Sequence, residues 1–576
     1  VPDGAEDPEI GSVVAVGLGG RAIRGWVVAR VEDPPDATIL PIGRIISVGP
    51  DGDLVALGRF AAERYFGPLR PFLKAASPDR IVRAIAPSSV LPAHRTVPGG
   101  VDAGLRASIE SAMAAPFGRG GARVVRTGPA DSRLGIVAAA ASVVGERSLL
   151  VLVPEHRDSE ILDDRLRRTG ARVTRWPAEW PQAAAGPSIV IGTRRAAFAR
   201  VADLGGIVVL DAHSESYTEE RAPTANATVI AAERARRAGV PCLLVSPTPT
   251  LELLDRHDSC TLPGAGGWPE IAIIDRTGAD LRLGPYDSRL VAALRAALDA
   301  DGRRRVVCVF NRTGRVRLLS CASCGALQRC EACGAAVGEP KRAPSGAARS
   351  LVCPSCGVAR PCVCGACGSM KLRQIRVGVG RVAEEISALV GEPATEVTAA
   401  TGVIPSDVRI LVGTEAVLHK VPSASVVAFI DLDQELLATR FRAAEQAWIL
   451  LGRAARLLGG DSGERHRRIV VQTRLPNEPL LAAARSGDPT RFLDRELVRR
   501  RELRLPPAAA LARASGDDAH RFAAAVASIG GPVEVAPLAD ASYLLRAPDH
   551  ATLLEVLVRA RSTGVSCRVS IDPDDV

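Results

Sequence analysis

Short apolar runs of buried-strand length, separated by polar or helically patterned stretches, set the rhythm of this chain. Val13-Val14-Ala15-Val16, a turn over 17–20 and Gly25-Trp26-Val27-Val28-Ala29 predict a hairpin in a small β-rich unit. Leu54, Leu57, Ala61 and Tyr65 then recur at helical spacing. From about 105 to 268, apolar runs at 149–153, 188–191, 207–210 and 242–245 alternate with polar or helical segments. That is the pattern of an α/β lobe with a mostly parallel sheet. A helix over 285–301 leads into a strand at 306–310, and the alternation resumes with 410–413, 426–431, a helix over 442–458 and 469–472. Two α/β lobes therefore flank a cysteine-rich segment. An Arg-rich helix over 492–504 stops at Pro506-Pro507, and the tail predicts a small α+β domain with a last strand at 567–571.

Length changes this picture in one way: 576 residues are too many for a single hydrophobic core, so about three to five domains are expected. No apolar run approaches the roughly 18 residues of a membrane span, and no membrane partner is expected. The net charge of +9 is mild for this length and is carried by arginine; the lysines are Lys74, Lys341, Lys371 and Lys420. Such a balance fits a protein that meets nucleic acid, but coding bias alone produces similar Arg clusters. The acidic opening Asp3-Gly4-Ala5-Glu6-Asp7 is the opposite of a basic secretory start, so a cytoplasmic location is expected.

Eight of the 13 cysteines form four C-x-x-C pairs: Cys321 and Cys324, Cys330 and Cys333, Cys353 and Cys356, Cys364 and Cys367. The second cysteine of every pair is followed by glycine. Each such turn aims two thiolates at one ion, and two turns complete a tetrahedral four-thiolate site, so the window predicts two structural zinc ions per chain. Spacing alone does not choose which pairs share an ion. Cys362 is a spare, and Cys242, Cys260, Cys308 and Cys567 read as buried apolar residues.

The run Phe310-Asn311-Arg312-Thr313-Gly314-Arg315 followed by the first cysteine pair resembles the Asn-Arg-Arg-Gly-Tyr plus cysteine segment of the PriA family of primosomal replication-restart helicases. Leu152-Val153-Pro154-Glu155, Gly192-Thr193-Arg194-Arg195-Ala196, Gly413-Thr414-Glu415 and Ile571-Asp572-Pro573 resemble other segments of that family, in order. The resemblance implies a multidomain α/β fold. A β-rich domain for the 3′ end of DNA occupies 1–103, a first RecA-like lobe 104–268, and a second lobe 269–316 and 372–507. A zinc module lies at 317–371 and a C-terminal α+β domain at 508–576. By the same resemblance Cys321, Cys324, Cys364 and Cys367 share one zinc, and Cys330, Cys333, Cys353 and Cys356 the other. Implied partners are forked and single-stranded DNA, single-strand DNA-binding protein, and the replicative helicase with other primosome components.

The ATP motor of that family does not carry over residue by residue. A P-loop needs Gly-Lys-Ser/Thr to cradle phosphates, neutralise them and bind Mg²⁺. The matching stretch, Arg126-Thr127-Gly128-Pro129-Ala130-Asp131-Ser132-Arg133, has no lysine, and none occurs between Lys74 and Lys341. The Asp-Glu-Glu-His box reads Asp211-Ala212-His213-Ser214. Of the last motif, Arg453 and Arg456 survive but the glutamine does not. ATP binding is therefore in doubt and the lobes read as degenerate. No catalytic residue is assigned, and Asp211, Arg453 and Arg456 are remnants. Candidates for DNA contact are Gly19, Arg194, Arg195, Arg312 and Arg315, with Arg317 and 499–501 behind them. Leu40 stands where a basic residue is expected before Pro-Ile, which leaves 3′-end recognition in doubt. Trp26 and Trp448 are weighed as base-stacking residues against the commoner core role. The reading is a replication restart factor without ATP-driven unwinding. The alternatives are an active ATP-dependent 3′–5′ helicase with an atypical nucleotide site and a zinc scaffold that binds only proteins.

Overall fold

The computed structural model describes residues 8–31, 40–86, 102–114, 119–263, 268–279, 286–299, 304–310, 319–332, 334–339, 349–353, 357–374, 379–438, 440–459, 467–538 and 540–573. They form a multidomain α/β fold with two parallel sheets and a cysteine module. The chain divides into two compact units. One comprises Val1–Thr127, Ser132–Pro263 and Arg500–Pro573; the other comprises Gly128–Asp131, Gly264–Arg499 and Asp574–Val576.

In the first unit, Val13–Leu18 and Arg21–Trp26 form the expected hairpin, and Ile42–Ser47 pairs on the other side of the first strand. The helix Gly52–Arg64 follows, started by the Asp51 carboxylate accepting from the Leu54 N–H at 2.9 Å. The large sheet is parallel throughout. Its order is Asp258–Thr261, Arg123–Arg126, Cys242–Ser246, Leu204–Leu210, Ser148–Leu152, Ile189–Gly192 and Val173–Arg175. Its central strands are apolar on both faces, as strands covered by helices on both sides must be. Leu149, Val151, Val208, Leu210, Leu243 and Val245 pack on one side. Leu150, Leu152, Ile207, Val209 and Leu244 pack on the other, in a cluster that also holds Leu57, Tyr65 and Phe72 from the N-terminal segment and Phe522, Leu545 and Leu557 from the C-terminal one. That shared core is why three sequence segments behave as one unit. The tail itself is a four-stranded antiparallel sheet, ordered Glu534–Pro537, Tyr543–Ala547, Ala510–Ser515 and Arg568–Ile571, with helices Ala519–Ile529 and His550–Ser562.

A charged joint adds to this core. Asp572 accepts from His550 Nε2 at 2.8 Å and from Arg64 Nη2 at 3.1 Å, with Arg256 at 3.8 Å. Burial by itself would raise this carboxyl, but the His550 ring and the two guanidinium groups hold it well below the usual carboxylate range. A depressed folded pKa means that the unfolded chain binds the proton more tightly. The stabilisation is therefore present above about pH 4 and is lost as pH falls below that. Asp572→Asn is expected to lower the stability of this unit by about 1–3 kcal/mol at pH 7 and to flatten its acid limb, as a pH series of urea melts would show.

In the second unit a six-stranded parallel sheet runs Glu270–Asp275, Arg468–Thr473, Val426–Phe429, Val306–Val309, Ile410–Gly413 and Ala394–Val397. Helices Ser288–Asp299 and Val379–Val390 cover one face through Leu290, Leu294, Val382 and Ile386. Trp448, on the helix Ala443–Leu457, is fully buried and stacks on Trp268 with ring centroids 4.4 Å apart. It is a core residue and cannot stack on bases. Trp26 is half-buried and donates to Ser77 Oγ at 2.8 Å, a packing role as well. Cys242 and Cys308 are buried as expected, whereas Cys260 and Cys567 are only partly so because they sit on or beside edge strands. No described helix is long and apolar enough to cross a membrane.

Candidate functional site

The cysteine module interrupts the second sheet between the strand Val306–Val309 and the helix Val379–Val390. It is built from one local device used four times. Gly325, Gly334, Gly357 and Gly368 have φ of +76, +76, +75 and +71°, and each donates its N–H to the carbonyl of the first cysteine of its turn at 2.9 Å. The first cysteines close the loops from the other side. Cys321, Cys330, Cys353 and Cys364 donate their N–H to the carbonyls of Ala326, Ala335, Val358 and Ser369 at 2.8–2.9 Å. Left-handed φ strains any residue with a Cβ, so glycine after each pair is a requirement of the turn. At Gly368 no atom lies within 4 Å of an added Cβ. Gly368→Ala therefore tests φ alone, and should cost about 1–2 kcal/mol of module stability, read as a lowered denaturant midpoint for metal release.

Two short antiparallel pairs bring the turns together. Leu319–Cys321 pairs with Leu372–Gln374, with Cys321 opposite Leu372, which draws the outer turns side by side. Ser350–Val352 pairs with Ala359–Pro361 and leads into Cys353. The Sγ atoms of Cys321, Cys324, Cys364 and Cys367 all lie within 4.8 Å of one another. Cys321 to Cys367 and Cys324 to Cys364 are each 3.6 Å. Four sulfurs on a tetrahedron 2.3 Å from zinc would be separated by about 3.8 Å, so the donor set fits a structural zinc ion. Backbone N–H groups already point at these sulfurs: Ser323 N to Cys321 Sγ at 3.3 Å and Ala366 N to Cys364 Sγ at 3.4 Å. Burial raises the Cys321 thiol, but N–H groups of Cys324 and Ser323 outweigh it and bring it to about 6. Of the inner set, Cys330 and Cys353 are buried in one apolar cluster with Leu319, Val337, Leu351 and Cys362. Cys333 and Cys356 lie outside the described residues.

One residue of this site was not legible in the sequence. Gln328, 2% exposed, sits between the outer turns with its carboxamide against Cys364.

The residues expected as remnants of an ATP site carry bonds to the protein's own groups. In the loop before the helix Arg133–Val144, Asp131 accepts from the Gly128 N–H at 2.7 Å. Ser132 caps that helix by accepting from Gly135 N at 3.1 Å. Arg133 pairs with Asp158 at 2.8 Å and with Asp211, which is buried at the end of the strand Leu204–Leu210 with φ +48°. His213 Nδ1 lies 2.8 Å from Ser246 Oγ. Arg453 pairs with Glu415, whose carboxyl burial would raise but His419 and Arg453 bring down to about 2. Arg456 donates to the Pro129 carbonyl at 3.0 Å, a contact inside the second unit, which includes Gly128–Asp131.

The residues expected at DNA fare unequally. Gly19, φ +56°, and Gly20 form the two-residue hairpin turn, which needs positive φ at both positions. Arg194 pairs with Glu219 and Arg195 with Asp79, each at 3.2 Å. Arg499 pairs with Glu496, and Arg500 is fully buried against Glu252 at 3.0 Å, so the Arg-rich helix Thr490–Glu502 is not a uniformly solvated basic face. Arg312, Arg315 and Arg317 lie outside the described residues. Sequence reasoning passed over Arg24 and Arg44, which flank Ala15 in the N-terminal sheet's register and are both exposed.

Residues 1–78 match the family model of a 3′DNA-binding domain (3′BD). A probable replication restart protein PriA of Mycobacterium leprae is 29% identical over 567 residues, covering 89% of this chain and 84% of that one. The replication restart protein PriA of Treponema pallidum is 26% identical, covering 97% and 92%. Among solved structures, RecG bound to a three-way DNA junction aligns with a TM-score of 0.37 at 12% identity, over 71% of this chain and 47% of that one. Over most of its length, this chain is similar to the replication restart proteins PriA.

Proposed function

We infer that this chain is a replication restart factor. It binds forked and single-stranded DNA, meets single-strand DNA-binding protein, and promotes primosome assembly and reloading of the replicative helicase at the nucleoid, without ATP-driven unwinding. The observation that carries the DNA half of this reading is the match of residues 1–78 to a 3′DNA-binding domain. The exposed Arg24 and Arg44 on that segment's sheet supply phosphate contacts, with Arg312 and Arg315 beside the module. Arg194 and Arg195 join them by exchanging their carboxylate partners for phosphate.

The absence of a motor is supported by what fills the ATP-handling positions. A phosphate-binding loop offers free backbone N–H groups to an anion. Here the Gly128 N–H is taken by the chain's own Asp131 carboxylate. The carboxylate that would serve Mg²⁺, Asp211, is neutralised by Arg133, and Arg453 is engaged by Glu415. Cys321, Cys324, Cys364 and Cys367 hold one ion, and Cys330, Cys333, Cys353 and Cys356 a second, giving a rigid surface for partners.

The test is a titration of a labelled fork with and without ATP, at several salt concentrations, alongside ATP turnover. Binding that is insensitive to ATP and falls steeply with salt supports the reading. Fork-stimulated turnover that disappears in Asp211→Ala establishes the second reading, an ATP-dependent 3′–5′ helicase. That reading is favoured by the His213–Ser246 contact, which still links the ends of two neighbouring strands. Failure to bind any fork at low salt leaves a scaffold for proteins only.

A further inference from the structure

We propose that Gln328 is the positioning residue of the outer four-cysteine site and that it ties this site to the hairpin leading into Cys353. The proposal rests on reading Cys321, Cys324, Cys364 and Cys367 as a zinc site.

A carboxamide has two donor hydrogens and two acceptor lone pairs. Gln328, almost fully buried, uses all four. Its Nε2 donates to the Ala326 carbonyl at 2.9 Å and to Cys364 Sγ at 3.4 Å. Its Oε1 accepts from Gly365 N at 3.2 Å and from Arg360 Nη2 at 2.9 Å. The orientation of the amide is set by these partners. Turned over, its oxygen would face a thiolate and a carbonyl, and its NH₂ would face a guanidinium and an N–H.

The four partners come from different parts of the module. Ala326 closes the first turn, and Cys364 and Gly365 belong to the fourth. Arg360 lies on the strand Ala359–Pro361 opposite Leu351, two residues before Cys353, and its Nη1 also donates to the Val363 carbonyl at 2.6 Å, next to Cys364. Gln328's own N–H donates to the Leu319 carbonyl at 2.9 Å, and its carbonyl accepts from Val337 N at 3.3 Å. Its chain then runs on to Cys330. A single side chain therefore steadies one ligand sulfur of the outer site and holds the strand paired with the one that leads into Cys353. An N–H aimed at a thiolate favours its charged, metal-binding form and fixes its direction. Removing such an outer partner of a metal ligand typically weakens metal binding by about 10–100-fold.

The experiment uses the full chain loaded with zinc, then with cobalt, in wild type, Gln328→Leu and Gln328→Glu. Leucine removes all four bonds. Glutamate keeps both acceptors for Arg360 and Gly365, but it removes both donors and sets a carboxylate beside the Cys364 sulfur. Both variants are expected to lose about 10–100-fold in zinc affinity in competition with a chelator. Both should also shift the sulfur-to-cobalt charge-transfer band, which a change in general stability does not move. Wild-type affinity and an unchanged cobalt spectrum in the variants overturn the proposal. A wild-type chain that holds no zinc instead overturns the reading of the cysteines. If the leucine variant does not fold, the glutamate variant decides.

Discussion

Replacing Cys364 with serine is expected to remove the outer metal site and unfold residues 319–374, while both parallel sheets keep their own unfolding transitions. The reason is one of scale. The apolar core among the described residues of the module consists of Leu319, Cys330, Val337, Leu351, Cys353 and Cys362, with Ala335 and Leu372 at its edge. A core that small cannot offset the ordering of so many residues. Structural zinc contributes about 10–16 kcal/mol in zinc-finger peptides, so the ion supplies most of what keeps the module folded. Cys364 is the most consequential of the outer four because it is buried and its sulfur accepts from both Ala366 N and Gln328 Nε2. The expected readings are loss of the zinc bound by the module, new protease cleavage inside it, and unchanged melting of the rest. Full zinc content in Cys364→Ser would show that these cysteines do not share an ion.

Saturating ATP is expected to leave the thermal stability of the chain unchanged, and Asp211→Ala to destabilise the first unit without altering fork affinity. A ligand present at 100 times its Kd raises stability by about 2.7 kcal/mol, a shift of several degrees for a domain. Even weak ATP binding would therefore be seen. Asp211 is buried, and its partner Arg133 is about 30% exposed and keeps Asp158. The full penalty for orphaning a buried charge, about 3–5 kcal/mol, is reduced accordingly to about 1–3 kcal/mol. An ATP-dependent rise in melting temperature that vanishes in Asp211→Ala would mean that Arg133 yields its place to magnesium and nucleotide, and the idle-motor reading would fail.

Much of the fold is visible in the chain because local composition and burial agree. The runs that became Ser148–Leu152, Leu204–Leu210 and Cys242–Ser246 are apolar at consecutive positions, a pattern suited only to strands covered on both faces. Their neighbours Arg123–Arg126 and Asp258–Thr261 escaped notice. One is bounded by arginines and the other is an exposed edge strand, so neither carries a hydrophobic signature. The fate of single polar residues was less legible still. Arg500 looks like its neighbour Arg501 in sequence, yet it is fully buried beside Glu252 while Arg501 is exposed.

By itself the sequence determined the four C-x-x-C turns, because glycine after each pair answers a φ requirement that is local to the turn. Tertiary structure alone decided the partners of single polar side chains. Asp131 turns back on Gly128, Arg133 reaches Asp211, and Gln328 joins segments of the module that are far apart in the chain. Such contacts depend on where folding places a side chain relative to distant backbone, and no spacing rule along the chain encodes that.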